Sequence, residues 1–340
     1  MINVALLSRW HVHADDYAKL AHENENVSIK LVWDENPERG KRWAEELGVP
    51  FRSHLESVLA DPEIDAVIVD TPTNRHKEII LSAARHGKHI FTEKVLAFTV
   101  KDCEEIYETV RGNNVQLMVS LPRLTENYYL YAQDVVDQGL LGKLTTIRCR
   151  LAHNGAVPLE GKSTGWLPEH FFNKEECGGG ALIDLGAHPI YLTNRLAGKA
   201  DSVSARLLQT EGHDVDDNAV ALIEYDSGAL GVLETGFLST GSPFQLELYG
   251  TEGTLLIEDQ EIRMKSSKLN GEWVIPESLP EPHHSPFDQW VLAIVNNEPT
   301  TISESDVLGL TLINEASKIS DEQGRRVATK EILNETTQIK

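Results

Sequence analysis

Apolar residues along this chain change their period once, and the change divides it. Residues 2–8 and Ala66-Val67-Ile68-Val69 read as continuous apolar runs, the pattern of parallel strands covered on both faces. Around them, residues 13–22, 38–47, 53–60, 77–86 and 99–111 space their apolar positions as helices do. Pro37 marks the start of one helix, and Gly48 and Gly87 mark two stops. With further β-rich runs at 29–33, 88–91 and 115–119, strands and helices alternate through short loops, which predicts a doubly wound parallel sheet.

From Leu144 the alternation is apolar and polar in turn, over 145–151, 202–208, 218–225, 229–235, 244–249 and 254–258. Such segments predict a large, mostly antiparallel sheet, one face packed on helices and the other open. Helices are expected at 126–138 and 287–295, with a final one at 303–321 before a short strand at Val327. The fold class is therefore α/β: a Rossmann-like domain over residues 1–121, then an α+β domain with an open sheet over 122–340. An open face of that size pairs with a copy of itself, so a homodimer or homotetramer through the second sheet is expected.

Composition narrows the partners. The 340 residues carry a formal net charge of −22, which repels nucleic acid and anionic lipid. The opening Met1-Ile2-Asn3-Val4-Ala5-Leu6-Leu7-Ser8 has no basic leader and too short an apolar run to span a bilayer, so a cytoplasmic protein without membrane or nucleic-acid partners is expected. Cys103, Cys149 and Cys177 have neither disulfide nor zinc spacing. Cys177 is either a nucleophile or a small buried apolar residue.

Doubly wound sheets bind ligands at the carboxyl ends of their strands. Those ends carry Ser8, Asp34, Thr71-Pro72-Thr73-Asn74 and Glu93-Lys94. Asp34, at the end of the second strand, can accept hydrogen bonds from an adenosine ribose and repel a 2′-phosphate, which favours NAD over NADP. The first turn, Ser8-Arg9-Trp10-His11-Val12-His13-Ala14, lacks the glycines of a dinucleotide fold. Either Ser8, Arg9 and a histidine meet the phosphates through side chains, or the cofactor is held differently or not at all. His11 and His13 alternate like a strand or extended loop and could contribute to a metal site, but no third ligand is identifiable and no metal is assigned. Later, Gly178-Gly179-Gly180 runs into Asp184 and His188, four residues apart and on one face if the segment is helical.

Thr71-Pro72-Thr73-Asn74-Arg75-His76, the stretch from Ala83 to Ala97 containing Glu93-Lys94, and Gly178 to His188 together resemble the glucose–fructose oxidoreductase/inositol dehydrogenase (Gfo/Idh/MocA) family over nearly the whole chain. The family's signatures are T-P-x-x-x-H, Glu-Lys-Pro and G-G-G-x-x-x-D-x-G-x-H. This chain departs from them at the first turn and at Val95, which replaces the proline, and it has Tyr191 where many members carry a second acid. The resemblance implies an NAD-dependent oxidoreductase in which Lys94 holds the reacting oxygen, His188 relays its proton and Asp184 orients substrate or imidazole. The strand ends and the first turn, taken with it, give a candidate cofactor site of Ser8, Arg9, Trp10, His11, Asp34, Thr71, Pro72, Asn74, His76, Glu93 and Lys94.

The chemistry agrees, since oxidising a secondary alcohol needs a base for the hydroxyl proton and a cation for the developing alkoxide. Arg123 is either a sugar or carboxylate contact or a surface ion pair; Trp166 is either a stacking wall for a sugar ring or a core anchor; His170 could reach the site from the long loop 152–176. The expected activity is hydride transfer at a secondary alcohol of a sugar, inositol-like polyol or glycoside. Its alternatives are a non-catalytic sugar or dinucleotide sensor, favoured by the missing glycines, and last a metal-dependent lyase or isomerase.

Overall fold

Five short parallel strands carry the first unit. In chain order the elements are β1 (Ile2–Leu7), α1 (Ala14–Glu23), β2 (Val27–Trp33), α2 (Pro37–Leu47), α3 (Leu55–Leu59), β3 (Ala66–Val69), α4 (Thr73–Arg85), β4 (His89–Thr92), α5 (Val100–Gly112) and β5 (Leu117–Val119). The strands run β2-β1-β3-β4-β5, with Val4 beside Ala66 and Ala66 beside His89. Every residue of β3 is buried, as a centre strand flanked by helices requires. Asn36 caps α2 by accepting from the N–H groups of Glu38 and Arg39, and Gly48 closes it at φ +69°. The computed structural model describes residues 1–161, 165–259 and 261–337.

The chain continues through a 3-10 turn (Pro122–Thr125), α6 (Asn127–Asp137), β6 (Leu144–Ala152), the short α7 (Lys174–Cys177) and α8 (Ala187–Ala197). β7 (Ala200–Leu208), β8 (Asn218–Tyr225), β9 (Leu230–Gly236), β10 (Gln245–Gly250), β11 (Gly253–Glu258), β12 (Glu261–Ser266) and β13 (Trp273–Val274) follow. After α9 (Pro286–Asn296) come α10 (Glu304–Gln323), β14 (Val327–Ala328) and α11 (Thr329–Thr337). The second sheet runs β13-β12-β11-β10-β6-β9-β8-β7-β14, antiparallel except where β6 lies parallel to β9. β8 alternates exposed and buried residues along its whole length, the mark of a sheet covered on one face.

Residues 284–304 belong to the first unit, with 1–97 and 101–120. Phe287 and Trp290 of α9 explain this, because their rings lie 5.4 and 5.7 Å from Phe91 of β4. Residues 303–321 are not the final helix, for α11 follows and buries Ile332. The sheet also gains β12 and β13; β12 alternates charged residues with Ile262 and Met264, both buried, an alternation obscured by its high charge.

The helix expected directly after the glycines begins only at Ala187. Before it the backbone winds irregularly, Asp184 N–H donating to Gly180 O, Gly186 N–H to Ala181 O and His188 N–H to Leu185 O. Gly186 permits the tight winding, since a Cβ there would stand 2.4 Å from Leu182 O. Asp184 and His188 therefore do not share a regular helical face.

Candidate functional site

In the first unit, the turn after β1 solves its missing glycine in an unexpected way. Ser8 itself takes the left-handed conformation, at φ +80°, and is fully buried. Its Oγ accepts from Trp10 N–H at 3.1 Å and donates to Glu35 Oε1 at 2.9 Å, which holds the turn closed. Other main-chain donors of the turn are also engaged: Arg9 N–H by Asp34 Oδ2, His11 N–H by Asp70 O and His13 N–H by His11 Nδ1.

Asp34 ends β2 as expected, but it is already rich in partners. Its carboxylate accepts from the N–H groups of Arg9 and Asn36 and from Nε and Nη2 of Arg39. Arg39, which the sequence pattern did not flag, also reaches Glu35 Oε1 at 2.5 Å. The Arg9 guanidinium turns to Glu46 and Asp15, at 2.7 and 2.8 Å, and both carboxylates hold its pKa up.

At the ends of β3 and β4 lies a buried polar cluster. Tyr17 Oη donates to Glu93 Oε1 and lies 2.8 Å from Ser120 Oγ; Glu93 Oε2 accepts the Lys94 N–H at 2.9 Å. Burial opposes a charge on Glu93, yet His11, Lys94, His13 and the Tyr17 hydroxyl hold its carboxyl below the usual range. Asp70 is the converse. Burial and then the Glu93 charge push its carboxyl well up. His76 contacts Val95 O through Nδ1 at 3.0 Å and Thr71 O through Nε2 at 3.1 Å, and burial lowers its pKa. It ties the turn after β3 to the segment carrying Lys94. Lys94 is buried beside it, its bond to Val95 is cis, and Pro72 is buried while Asn74 is exposed on the first turn of α4.

These strand ends suit a dinucleotide. Glu35 Oε2, Thr71 Oγ1 and both carboxylate oxygens of Asp70 are buried polar atoms with no partner among the described residues. Such atoms need hydrogen bonds that the chain does not supply, and a ligand rich in hydroxyls and amide groups can supply them. Among the described residues no cluster of three or more potential metal ligands forms.

In the second unit, the glycine loop is held by a residue far along the chain. Asp216 accepts from the N–H groups of Gly180 and Leu182, each at 2.8 Å, and its carbonyl accepts from Ala181 N–H at 2.7 Å. A Cβ on Gly180 would lie 1.9 Å from that carbonyl, and one on Gly178, at φ +78°, would strike the Phe98 ring. The loop thus needs its glycines for packing. Beside it opens a cavity of about 490 Å³, with Phe98, Gly179, Ile183 and Lys318 in its walls and neither Asp184 nor His188 among its lining residues.

His188, half-buried on the first turn of α8, meets the Tyr191 hydroxyl through Nδ1 at 2.6 Å. Arg123 offers its main-chain N–H to the same hydroxyl at 3.4 Å, while its guanidinium donates to Tyr128 Oη at 3.1 Å and sits 4.9 Å over the Phe244 ring. Trp166 is 49% exposed, its indole N–H donating to Asn154 and its ring 4.7 Å from His153, which stacks on Phe237. The indole is thus half open to solvent. His170 lies in a 3-10 turn beside Phe171, its carbonyl accepting from the Cys177 thiol. Cys177 is buried, in keeping with a packing residue. Tyr128, Tyr17, Asp70, Asp216 and His153 escaped the sequence pattern, because nothing local marks them.

Comparison with known proteins places the chain in a family. Residues 11–121 match the oxidoreductase family model described as an NAD-binding Rossmann fold, and residues 129–256 match the GFO/IDH/MocA C-terminal domain. The chain is 33% identical over 261 residues to scyllo-inositol 2-dehydrogenase (NAD(+)) of Bacillus subtilis, covering 73% of this chain and 72% of that protein. It is 28% identical over 254 residues to levoglucosan dehydrogenase of Pseudarthrobacter phenanthrenivorans, covering 67% and 64%. The structure of a levoglucosan dehydrogenase in complex with NADH and levoglucosan has the same fold, with a TM-score of 0.81 at 23% identity over 96% of this chain and 99% of that one. Strand order, signature residues and these matches agree, and the chain belongs to the Gfo/Idh/MocA family of NAD-dependent oxidoreductases.

Proposed function

We propose that the protein interconverts a secondary alcohol and its ketone on a cyclic polyhydroxylated substrate: a sugar, an inositol-like polyol or a glycoside. The observation that carries this reading is the His188 imidazole, fixed through Nδ1 by a buried phenol and placed in the family's motif order after Asp184. Relatives that act on scyllo-inositol and levoglucosan support the substrate class.

Bound NAD supplies the hydride acceptor, and the remaining chemistry belongs to the chain. The Lys94 ammonium holds the reacting oxygen and stabilises negative charge as it develops there. His188 takes the hydroxyl proton in oxidation and returns it in reduction, its ordinary pKa lying near neutrality. Asp184 orients the substrate, and Arg123, Trp166 and His170 contribute hydroxyl and ring contacts. Ser8, Arg9, Trp10, His11, Thr71, Pro72, Asn74, His76 and Glu93 shape the cofactor site. Beside Asp34, whose oxygens are taken by Arg9, Asn36 and Arg39, Glu35 keeps Oε2 for a ribose hydroxyl, which supports NAD over NADP. Val220, Leu222 and Leu230, each more than two-fifths exposed on the open sheet face, support pairing with a second copy, and light scattering measures the resulting mass. The acidic composition supports a cytoplasmic location.

The test is absorbance at the reduced-nicotinamide band with NAD and a panel of inositols, hexoses and glycosides. Turnover should fall by about 10²- to 10⁴-fold in Lys94→Ala and in His188→Ala. Turnover surviving both substitutions overturns the assignment.

A further inference from the structure

At the end of β2 one guanidinium is gripped by two carboxylates. Arg39, on the first turn of α2, donates through Nε to Asp34 Oδ2 at 2.9 Å and through Nη2 to Asp34 Oδ1 at 2.8 Å, a two-point grip that fixes the plane of the group. Nη2 also meets Glu35 Oε1 at 2.5 Å and Ser8 Oγ at 3.2 Å. Nη1 has no partner among the described residues, and the side chain keeps 24% of its surface open to solvent. The two carboxylates are not equivalent. Asp34 is wholly buried and accepts from the N–H groups of Arg9 and Asn36 as well as from Nε and Nη2 of Arg39, so its lone pairs are spent on closing the turn. Glu35 is held only at Oε1, by Ser8 and Arg39, and its Oε2 has no partner among the described residues.

We infer that Arg39 is a latent receptor for a 2′-phosphate and that Glu35, by occupying it, is the residue that keeps NADP out. Asp34 then serves the turn rather than the ribose. The inference deepens the reading of this strand end as the adenosine side of the cofactor site and rests on that reading. A ribose hydroxyl is neutral and donates to a carboxylate, whereas a 2′-phosphate carries about two negative charges into a place where Asp34 and Glu35 outnumber the Arg39 cation. The planar fork of an arginine suits phosphate as well as it suits carboxylate, so what excludes phosphate here is prior occupation and charge, not the lack of a donor.

The neighbouring charges leave that balance in the hands of Glu35. Arg9 is spent on Asp15 and Glu46, at 2.8 and 2.7 Å, and brings no free cation to the site. Arg75, on the first turn of α4, lies with its guanidinium 5.5 Å over the Trp33 ring and makes no ion pair among the described residues. It stands beside the residue that precedes Asp34, a second cation for a phosphate once the Glu35 charge is gone. Without that charge Asp34 and Arg39 neutralise each other, and both the unspent Nη1 and part of Nη2 are left to bond phosphate oxygens.

The experiment titrates the whole protein, free of substrate and at one fixed ionic strength, with NAD, NADP, 5′-AMP and adenosine 2′,5′-bisphosphate, followed by tryptophan fluorescence. The native protein should prefer NAD to NADP and 5′-AMP to the bisphosphate. Glu35→Gln keeps an acceptor for Ser8 and Arg39 and puts an amide donor where Oε2 stands. It should weaken NAD about tenfold, the worth of one hydrogen bond to a charged acceptor, and tighten NADP and the bisphosphate about tenfold or more. Adding Arg39→Gln should cancel the gain for the two phosphorylated ligands and leave 5′-AMP as Glu35→Gln binds it. A ratio of NADP to NAD affinity unmoved by Glu35→Gln overturns the inference, and so does a gain that survives the loss of Arg39. A merely disturbed turn would weaken all four ligands together and leave the ratio where it was, which is the first of those results. Because the titrations need no turnover, the expected shift in ratio with a silent substrate panel would sink the dehydrogenase reading alone, and an unmoved ratio with full turnover would sink only the roles of Glu35 and Arg39.

Discussion

Ser8 offers the sharpest test of how the first turn works without glycine. A non-glycine residue in the left-handed region costs about 1–2 kcal/mol, and Ser8 sits there at φ +80° with no exposed surface. Its Oγ offsets that cost through Trp10 N–H at 3.1 Å, Glu35 at 2.9 Å and Arg39 Nη2 at 3.2 Å. At about 1 kcal/mol each, these bonds are worth about 3 kcal/mol, so they outweigh the strain.

Ser8→Ala removes the bonds and keeps the strain, for a loss of about 3 kcal/mol. Ser8→Gly removes the same bonds but relieves the strain, and should fall only about 2 kcal/mol below the native protein. Urea unfolding followed by tryptophan fluorescence measures both, since Trp10, Trp33, Trp43 and Trp290 all belong to the first unit. NAD affinity should follow the same order, because the turn that presents Arg9, Trp10 and His11 is held by those contacts. If the glycine variant proves no more stable than the alanine variant, the left-handed turn is not imposed by the fold and the reasoning fails.

Two further outcomes are expected. Asp216→Ala strands two buried N–H donors of the glycine loop, which should cost about 3 kcal/mol and lower Tm by about 6–12 °C in calorimetry; Asp216→Asn keeps one acceptor and removes a charge that burial disfavours, so it should cost less. For Asp70 the folded pKa is raised, so the native contribution is fully present below the unfolded value near about 3.9 and is lost as pH climbs through the folded one. Asp70→Asn should therefore stabilise the protein at neutral pH, with a gain that shrinks as pH falls toward about 4. A gain that grows on acidification would refute the sign.

Much of this protein is written locally. A run such as Ala66-Val67-Ile68-Val69 reads as a strand covered on both faces, Pro37 and Gly48 bracket a helix by their own backbone preferences, and an apolar-polar alternation marks a half-covered sheet. From these periods the two-domain α/β architecture followed, and with them the places of Asp34, Glu93, Lys94 and the glycine loop at the ends of elements. What the sequence could not hold is the identity of partners that meet only after folding. Arg39 closing on Asp34, Asp216 anchoring the glycines, α9 joining the sheet through Phe91, and Tyr191 facing His188 rather than solvent all depend on which faces come together. The same holds for the left-handed Ser8, a residue with no intrinsic preference for that conformation, and for the irregular winding before Ala187. Period and composition report which side of an element is buried; only packing decides against what, and hydrogen bonds between distant residues follow from that choice.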